Sequence, residues 1–284
     1  MSSARCREIF PQTVHRFLFL STSHQSPRAL SLSLSLFSIN STDGAAAEMA
    51  YHHSTPPSIT IVDHELPYDT HNTYDVIFFG ESVFTTLTCD PTIASQWISE
   101  VEAVHRRGID QIIVGLDVEW RPSFNRYVHN PAATLQLCVG HRCLIFQLIH
   151  SPFVPPSLVA FLANPRYTFV GIGIAADLEK LEEDYEFGFN TNTVDLRELA
   201  AARYERRDLK NSGLKSLAAL VLGKDVQKPK SITMSRWDNQ WLTPTQVRYA
   251  CVDAFVCFEI GRVLNASSPP AAAAAPPPRA SALG

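Results

Sequence analysis

Apolar residues in this chain fall into short runs whose period changes along the sequence. Ser58–Val62 and Tyr74–Thr88 are rich in Val, Ile, Phe and Thr and are separated by polar turn residues, which predicts extended segments. From Pro91 to Arg107 the pattern turns helical, with Ile93, Trp97, Val101 and Val104 on one stripe. Gln111–Trp120 (QIIVGLDVEW) is a short apolar run and predicts a central strand covered on both faces. Ala133–Val139 and Arg142–Leu148 predict a hairpin turning at Gly140 and His141, followed by a helix over Pro156–Asn164 and a strand over Tyr167–Gly171. Helices at Ala175–Phe187, Leu196–Tyr204, Leu214–Leu222 and Pro244–Leu264 dominate the remainder. Strands first, with helices interleaved later, imply an α/β sandwich built on a mixed sheet.

Both ends leave this pattern. Residues 1–57 read as an unstructured leader: Met1 to Glu48 is crowded with Ser and carries Arg5, Arg7, Arg16 and Arg28, with few acids beyond Glu8, Asp43 and Glu48. That is the composition of an organellar transit peptide, and an upstream-extended start with translation from Met49 fits equally. The expected compartment is the nucleus and/or cytoplasm, or an organelle if the leader is a transit peptide. Ala266 to Gly284 is Pro/Ala-rich without amphipathic period and predicts a disordered tail. The folded domain is therefore expected over 58–265.

Composition narrows the function classes without naming one. A chain of 284 residues, 45% hydrophobic, can bury one substantial core. A formal net charge of -4 argues against binding nucleic acid mainly by coating phosphates with Lys and Arg. An enzyme that reaches phosphates through metal ions is untouched by that argument. The six cysteines form no C-x-x-C pair and no His/Cys cluster, so reduced thiols in an intracellular compartment are expected rather than a zinc site or disulfides. No apolar stretch approaches the ~18–20 residues that span a bilayer, so a soluble protein with no membrane contact is expected.

The candidate chemistry begins at Asp117 and Glu119, two residues apart at the end of the apolar strand and so on one face of it. Either both acids are simply solvated at a strand end, or their repulsion is relieved by a cation, for which an oxygen-rich cluster suits Mg²⁺ or Mn²⁺. Asp253 sits in the apolar setting Ala250-Cys251-Val252-Asp253-Ala254-Phe255-Val256, where a carboxylate is expensive without a partner. Tyr249, four residues earlier, shares its helix face. Asp177 follows Gly171-Ile172-Gly173-Ile174 at a strand-to-helix junction, where the helix dipole alone also favours an acid. Asp195 is a rival acid that a helix N-cap explains fully.

Taken in order, Val114-Gly115-Leu116-Asp117-Val118-Glu119-Trp120, the Gly171–Ile174 segment leading to Asp177, and Tyr249-x-x-x-Asp253 resemble the three exonuclease motifs of the DEDDy family of 3′–5′ exonucleases. Ala133-Thr134-Leu135-Gln136-Leu137-Cys138, Ser216-Leu217, Leu222-Gly223-Lys224, and Lys230-Ser231-Ile232 ahead of Ser235 and Trp237 are similar to its Werner-like branch. The resemblance covers about Val76 to Leu264. It implies the ribonuclease H-like fold shared with polymerase proofreading domains and ribonuclease D. It further implies two Mg²⁺ or Mn²⁺ ions, one held by Asp117, Glu119 and Asp253, the second bridged by Asp117 and supported by Asp177, with Tyr249 orienting the attacking water. The implied substrate is a single-stranded or 3′-recessed nucleic acid, DNA favoured, cut to nucleoside 5′-monophosphates.

An RNA-trimming exonuclease on the same scaffold and a catalytically silent adaptor are the alternatives. Trp120, Arg121, Phe124 and Arg126 follow the first motif as candidate nucleic-acid contacts, although a core aromatic and solvated arginines describe them equally well. No G-x-x-x-x-G-K-[ST] motif is present, and the sequence ends soon after Leu264. A stand-alone exonuclease relying on a helicase or other processivity partner is the expectation.

Overall fold

The computed structural model describes residues 59–67, 69–105, 111–125 and 127–268, so the leader, Arg126 and all of the tail beyond 268 lie outside it. Among the described residues one mixed sheet holds β1 (Ile59–Asp63), β2 (His71–Phe78), β3 (Glu81–Thr88), β4 (Ile112–Trp120), β5 (Ala132–Val139), β6 (Arg142–Phe146), β7 (Tyr167–Gly171) and β8 (Thr193–Asp195). Their order across the sheet is β1-β2-β3-β6-β5-β4-β7-β8. β4 runs antiparallel to β5 and parallel to β7, β7 is parallel to β8, and β3 is parallel to β6. The helices are α1 (Pro91–His105), α2 (Pro156–Leu162), α3 (Ile174–Tyr185), α4 (Leu196–Arg203), α5 (Leu214–Leu217), α6 (Lys230–Thr233) and α7 (Pro244–Val263).

The period-2 alternation of β4 divides the core in two. Val114, Leu116 and Val118 are buried with α1, α2 and α3 on one side of the sheet. On the other side α4, α5 and α7 pack over Tyr74, Val76, Phe78, Val83, Cys138, Cys143 and Ile145. Gly115, Asp117 and Glu119 therefore face α7. The thiols of Cys138, Cys143, Cys251 and Cys257 are all buried in this second layer, and Cys138 and Cys143 are paired across the β5–β6 hairpin.

Three local differences from the sequence reading have simple causes. Tyr74–Thr88 is a hairpin that already begins at His71, because Phe79 and Gly80 take positive φ values of 48° and 92° and join β2 to β3 through a two-residue turn. Thr193–Asp195 adds a short parallel strand beside β7, with Asp195 serving at once as strand end and helix cap. The helix expected over 214–222 widens at its end: α5 passes into a π-helical turn, Ala218–Leu222, that ends on left-handed Gly223.

α7 is long and apolar nearly all round, with Tyr249 to Cys257 buried without interruption. It starts on a complete capping box. Thr243 Oγ1 accepts from Gln246 N, and Thr243 N donates to Gln246 Oε1 at 3.0 Å. Beyond α7, Ala266 is buried and its N–H donates to Gly261 O, while the Arg203 guanidinium donates to the carbonyls of Leu264 and Ser268. Among the described residues no helix is long and apolar enough to cross a membrane.

Candidate active site

Asp117 and Glu119 stand at the C-terminal end of β4, just before the register with β5 shifts between Glu119 and Trp120. Asp253 comes from the middle of α7. The two elements meet closely because Gly115, one pleat before Asp117, has no side chain on the face that α7 covers. One carboxylate oxygen from each of Asp117, Glu119 and Asp253 falls within 4.8 Å of the other two. Asp117 Oδ2 is buried without a hydrogen-bond partner. Asp253 Oδ2 is likewise buried without a hydrogen bond, its ion pair with Lys228 apart, and three converging carboxylates, two with such an oxygen, are a donor set that suits a hard divalent cation.

Asp177 stands beside this trio rather than within it. It lies in the first turn of α3, after Gly173 has taken a left-handed φ of 71° to start the helix. Its carboxyl is buried and its charge reaches Asp117 and Glu119. Asp195 belongs to a different arrangement. Its carboxylate caps α4 through Arg197 N at 2.9 Å, accepts from Gly173 N at 3.0 Å, and pairs with the Arg197 guanidinium at 2.7 Å. These contacts hold its pKa down despite burial, so it serves as the brace under the Gly173 turn.

Burial dominates the electrostatics. It pushes Asp117 well above the usual carboxylate range, with Asp253, Glu119 and Asp177 adding to the rise. Glu119 is pushed up to about 8 by burial and then by Asp253. Asp177 is pushed up to about 7 by burial and by Asp195. Asp253 is also raised by burial, against the pull of Lys228. Without an added cation, such a cluster relieves its repulsion by holding protons.

Tyr249 lies one turn before Asp253 on α7, and burial together with the neighbouring acids keeps its phenol protonated. Its ring is set by Trp237, fully buried with its centroid 5.9 Å away. The Trp237 segment is in turn fastened to α7, because Gln246 Nε2 donates to Ser235 Oγ at 3.0 Å. The similarity noted around Ser235 and Trp237 thus has a structural content, which is to seat Tyr249.

Lys228 is the residue that the sequence reading missed. Its Nζ is 2.6 Å from Asp253 Oδ2 and 5.3 Å above the Tyr249 ring. Burial disfavours its charge, but Asp253 and Asp117 outweigh that and raise its pKa. It comes from an irregular stretch with no periodicity to read. The one available signal was its place between the quoted Leu222-Gly223-Lys224 and Lys230-Ser231-Ile232 segments.

The candidate nucleic-acid contacts scatter. Trp120 is half-buried with Lys180 Nζ 5.5 Å from its ring centroid, and Arg121 Nη1 is tied to Asp238 at 3.2 Å. Phe124 is 92% exposed, and Arg126 lies outside the described residues.

A mixed sheet between two helical layers is the architecture also found in solved nuclease domains. The fold is ribonuclease H-like: Escherichia coli RNase D superposes with a TM-score of 0.52 at 19% identity, covering 64% of this chain and 44% of that one. The Aedes aegypti Nibbler EXO domain does so with a TM-score of 0.51 at 21% identity, covering 64% and 87%. A family model described as 3′-5′ exonuclease matches residues 85–267, and the chain belongs to that family. An Arabidopsis thaliana protein named 3′-5′ exonuclease is 35% identical over 153 residues, 53% of this chain and 52% of the relative. The mouse protein named bifunctional 3′-5′ exonuclease/ATP-dependent helicase WRN is 32% identical over 179 residues, 63% of this chain and 12% of that protein. The chain thus spans about half the length of the first relative and a small part of the second.

Proposed function

We propose that this protein is a metal-dependent 3′–5′ exonuclease that removes nucleoside 5′-monophosphates from the end of a nucleic-acid strand. The observation that carries the reading is the convergence of Asp117, Glu119 and Asp253 beside a protonated Tyr249. Asp117, Glu119 and Asp253 would hold one Mg²⁺ or Mn²⁺, and Asp177 with Asp117 a second. Divalent cations, when bound, supply positive charge at the reacting phosphate and lower the pKa of water. The chain's own part is positional. Tyr249 presents a hydroxyl that holds the attacking water in line with phosphorus, and the Trp237 contact fixes that hydroxyl's approach. The water oxygen bonds to phosphorus, the P–O3′ bond breaks, and the 3′ oxygen leaves as a hydroxyl on the shortened strand. The exposed ring of Phe124, five residues past Glu119, offers a face on which an unpaired base can stack. The helicase joined to the mouse relative supports a helicase as partner.

Digestion of labelled DNA and RNA strands side by side, with Mg²⁺ or Mn²⁺ and with chelator, tests the proposal. Release of mononucleotides from the 3′ end is expected, lost with chelator and in Asp117→Ala and Asp253→Ala. Undiminished cleavage in both variants would overturn the assignment.

A further inference from the structure

Three carboxyl groups converge in this site with Asp177 beside them, and among the described residues no basic side chain other than Lys228 ion-pairs with any of the four. Its ammonium rests against Asp253, a member of the trio that would take the cation. A dication entering there meets a positive charge already in place, in a buried setting where charges are poorly screened. Both cannot share Asp253 without strong repulsion. Lysine is suited to yielding: its compact charge sits on a flexible four-carbon stem, and its side chain is 32% exposed, which leaves an outward path. The backbone at Lys228 is restrained by Pro229, so movement falls to the side chain. The Tyr249 ring beneath the ammonium gives it a second resting contact.

We propose that Lys228 is the resident counter-ion of the carboxylate site, competing with the divalent metal for Asp253 and thereby setting metal affinity. This rests on the reading of the acids as a metal site. In the metal-free cluster the lysine charge lies against Asp253 and stabilises the acids at the cost of weaker cation binding. Affinity and metal-free stability are therefore coupled in opposite directions through one side chain.

Titration calorimetry with Mn²⁺ alone, in the absence of nucleic acid, tests this on the full chain. Lys228→Met is expected to bind Mn²⁺ roughly 3- to 10-fold more tightly than wild type, since it removes a like charge from the site. In chelator its melting temperature is expected to fall, and its gain on adding Mn²⁺ to exceed that of wild type. Lys228→Arg, which keeps the charge, is expected to stay near wild-type affinity, and Lys228→Gln serves as a second neutral variant should the Met variant fold poorly. Unchanged or weaker Mn²⁺ binding in the neutral variants, with normal uptake by wild type, would overturn the proposal alone. Absence of Mn²⁺ uptake by wild type would overturn the metal reading beneath it and this inference with it.

Discussion

The carbonyl oxygen of Ala254 stands 2.0 Å from the point a Cβ on Gly115 would occupy. A strand bearing two site acids and a helix bearing the third are thus in backbone contact, with no room for one methyl group. Gly261 repeats the arrangement further along α7, where an added Cβ would come within 2.9 Å of Val170 Cγ2.

The first consequence concerns Gly115→Ala. The obstruction is backbone rather than a yielding side chain, so α7 must shift and carry Tyr249 and Asp253 with it. A stability loss of roughly 3 kcal/mol or more is expected. Nuclease activity should fall far beyond what the unfolded fraction explains. Denaturant melts paired with initial rates check this, and an active variant of wild-type stability would contradict the close crossing.

Asp117→Asn should move stability the other way. Burial and three neighbouring acids make Asp117 costly to ionise, and the amide removes that cost without changing shape. In chelator the variant is expected to be about 1–2 kcal/mol more stable than wild type, while losing cleavage and tight Mn²⁺ binding. Equilibrium unfolding with chelator present measures the gain.

The pH dependence of stability follows from the same raised carboxyls. Glu119 is pushed up from 4.5 to about 8 and Asp177 from 3.8 to about 7, so between those limits the folded state binds more protons than the unfolded chain. Stability from these groups is complete below about pH 4 and is lost as pH rises through 7 to 8. Asp184 and Asp195 have lowered pKa values and act below this window, so they do not offset it. In chelator, melting temperature should therefore decline from pH 5 to pH 8.5. Saturating Mg²⁺ should flatten the decline by taking the protons' place. A rising profile in chelator would show that the acids are ionised without strain.

Asp195→Ala separates a bracing acid from a site acid. Loss of the α4 cap and of the Gly173 acceptor should cost about 1–2 kcal/mol. Mn²⁺ affinity should stay within a few-fold of wild type, whereas Asp117→Ala should abolish binding. Calorimetry on the two variants distinguishes them.

The sheet's central strand, the β5–β6 hairpin and the long last helix were legible because burial on both sides leaves unbroken apolar runs. The acids were legible through their company. Asp117 and Glu119 share a face by simple alternation, and Asp253 is conspicuous in an apolar helix. The turn at Phe79-Gly80 escaped because a bulky aromatic in a left-handed conformation is an unusual start to a tight turn. Lys228 escaped for a deeper reason. Its partner lies 25 residues away on another element, and nothing in the local pattern of an irregular segment encodes that approach. Arg121 shows the converse, since its proximity to Glu119 in the chain suggested substrate contact while Asp238 holds its guanidinium.

The four thiols between α7 and the sheet have a use beyond filling space. Burial raises the pKa of Cys138, Cys143, Cys251 and Cys257, leaving them shielded from alkylating reagents. They line the seam that must stay shut for Tyr249 and Asp253 to face Asp117. Their rate of modification under native conditions is then a clock for how often that seam opens, readable by mass spectrometry without any nucleic acid present.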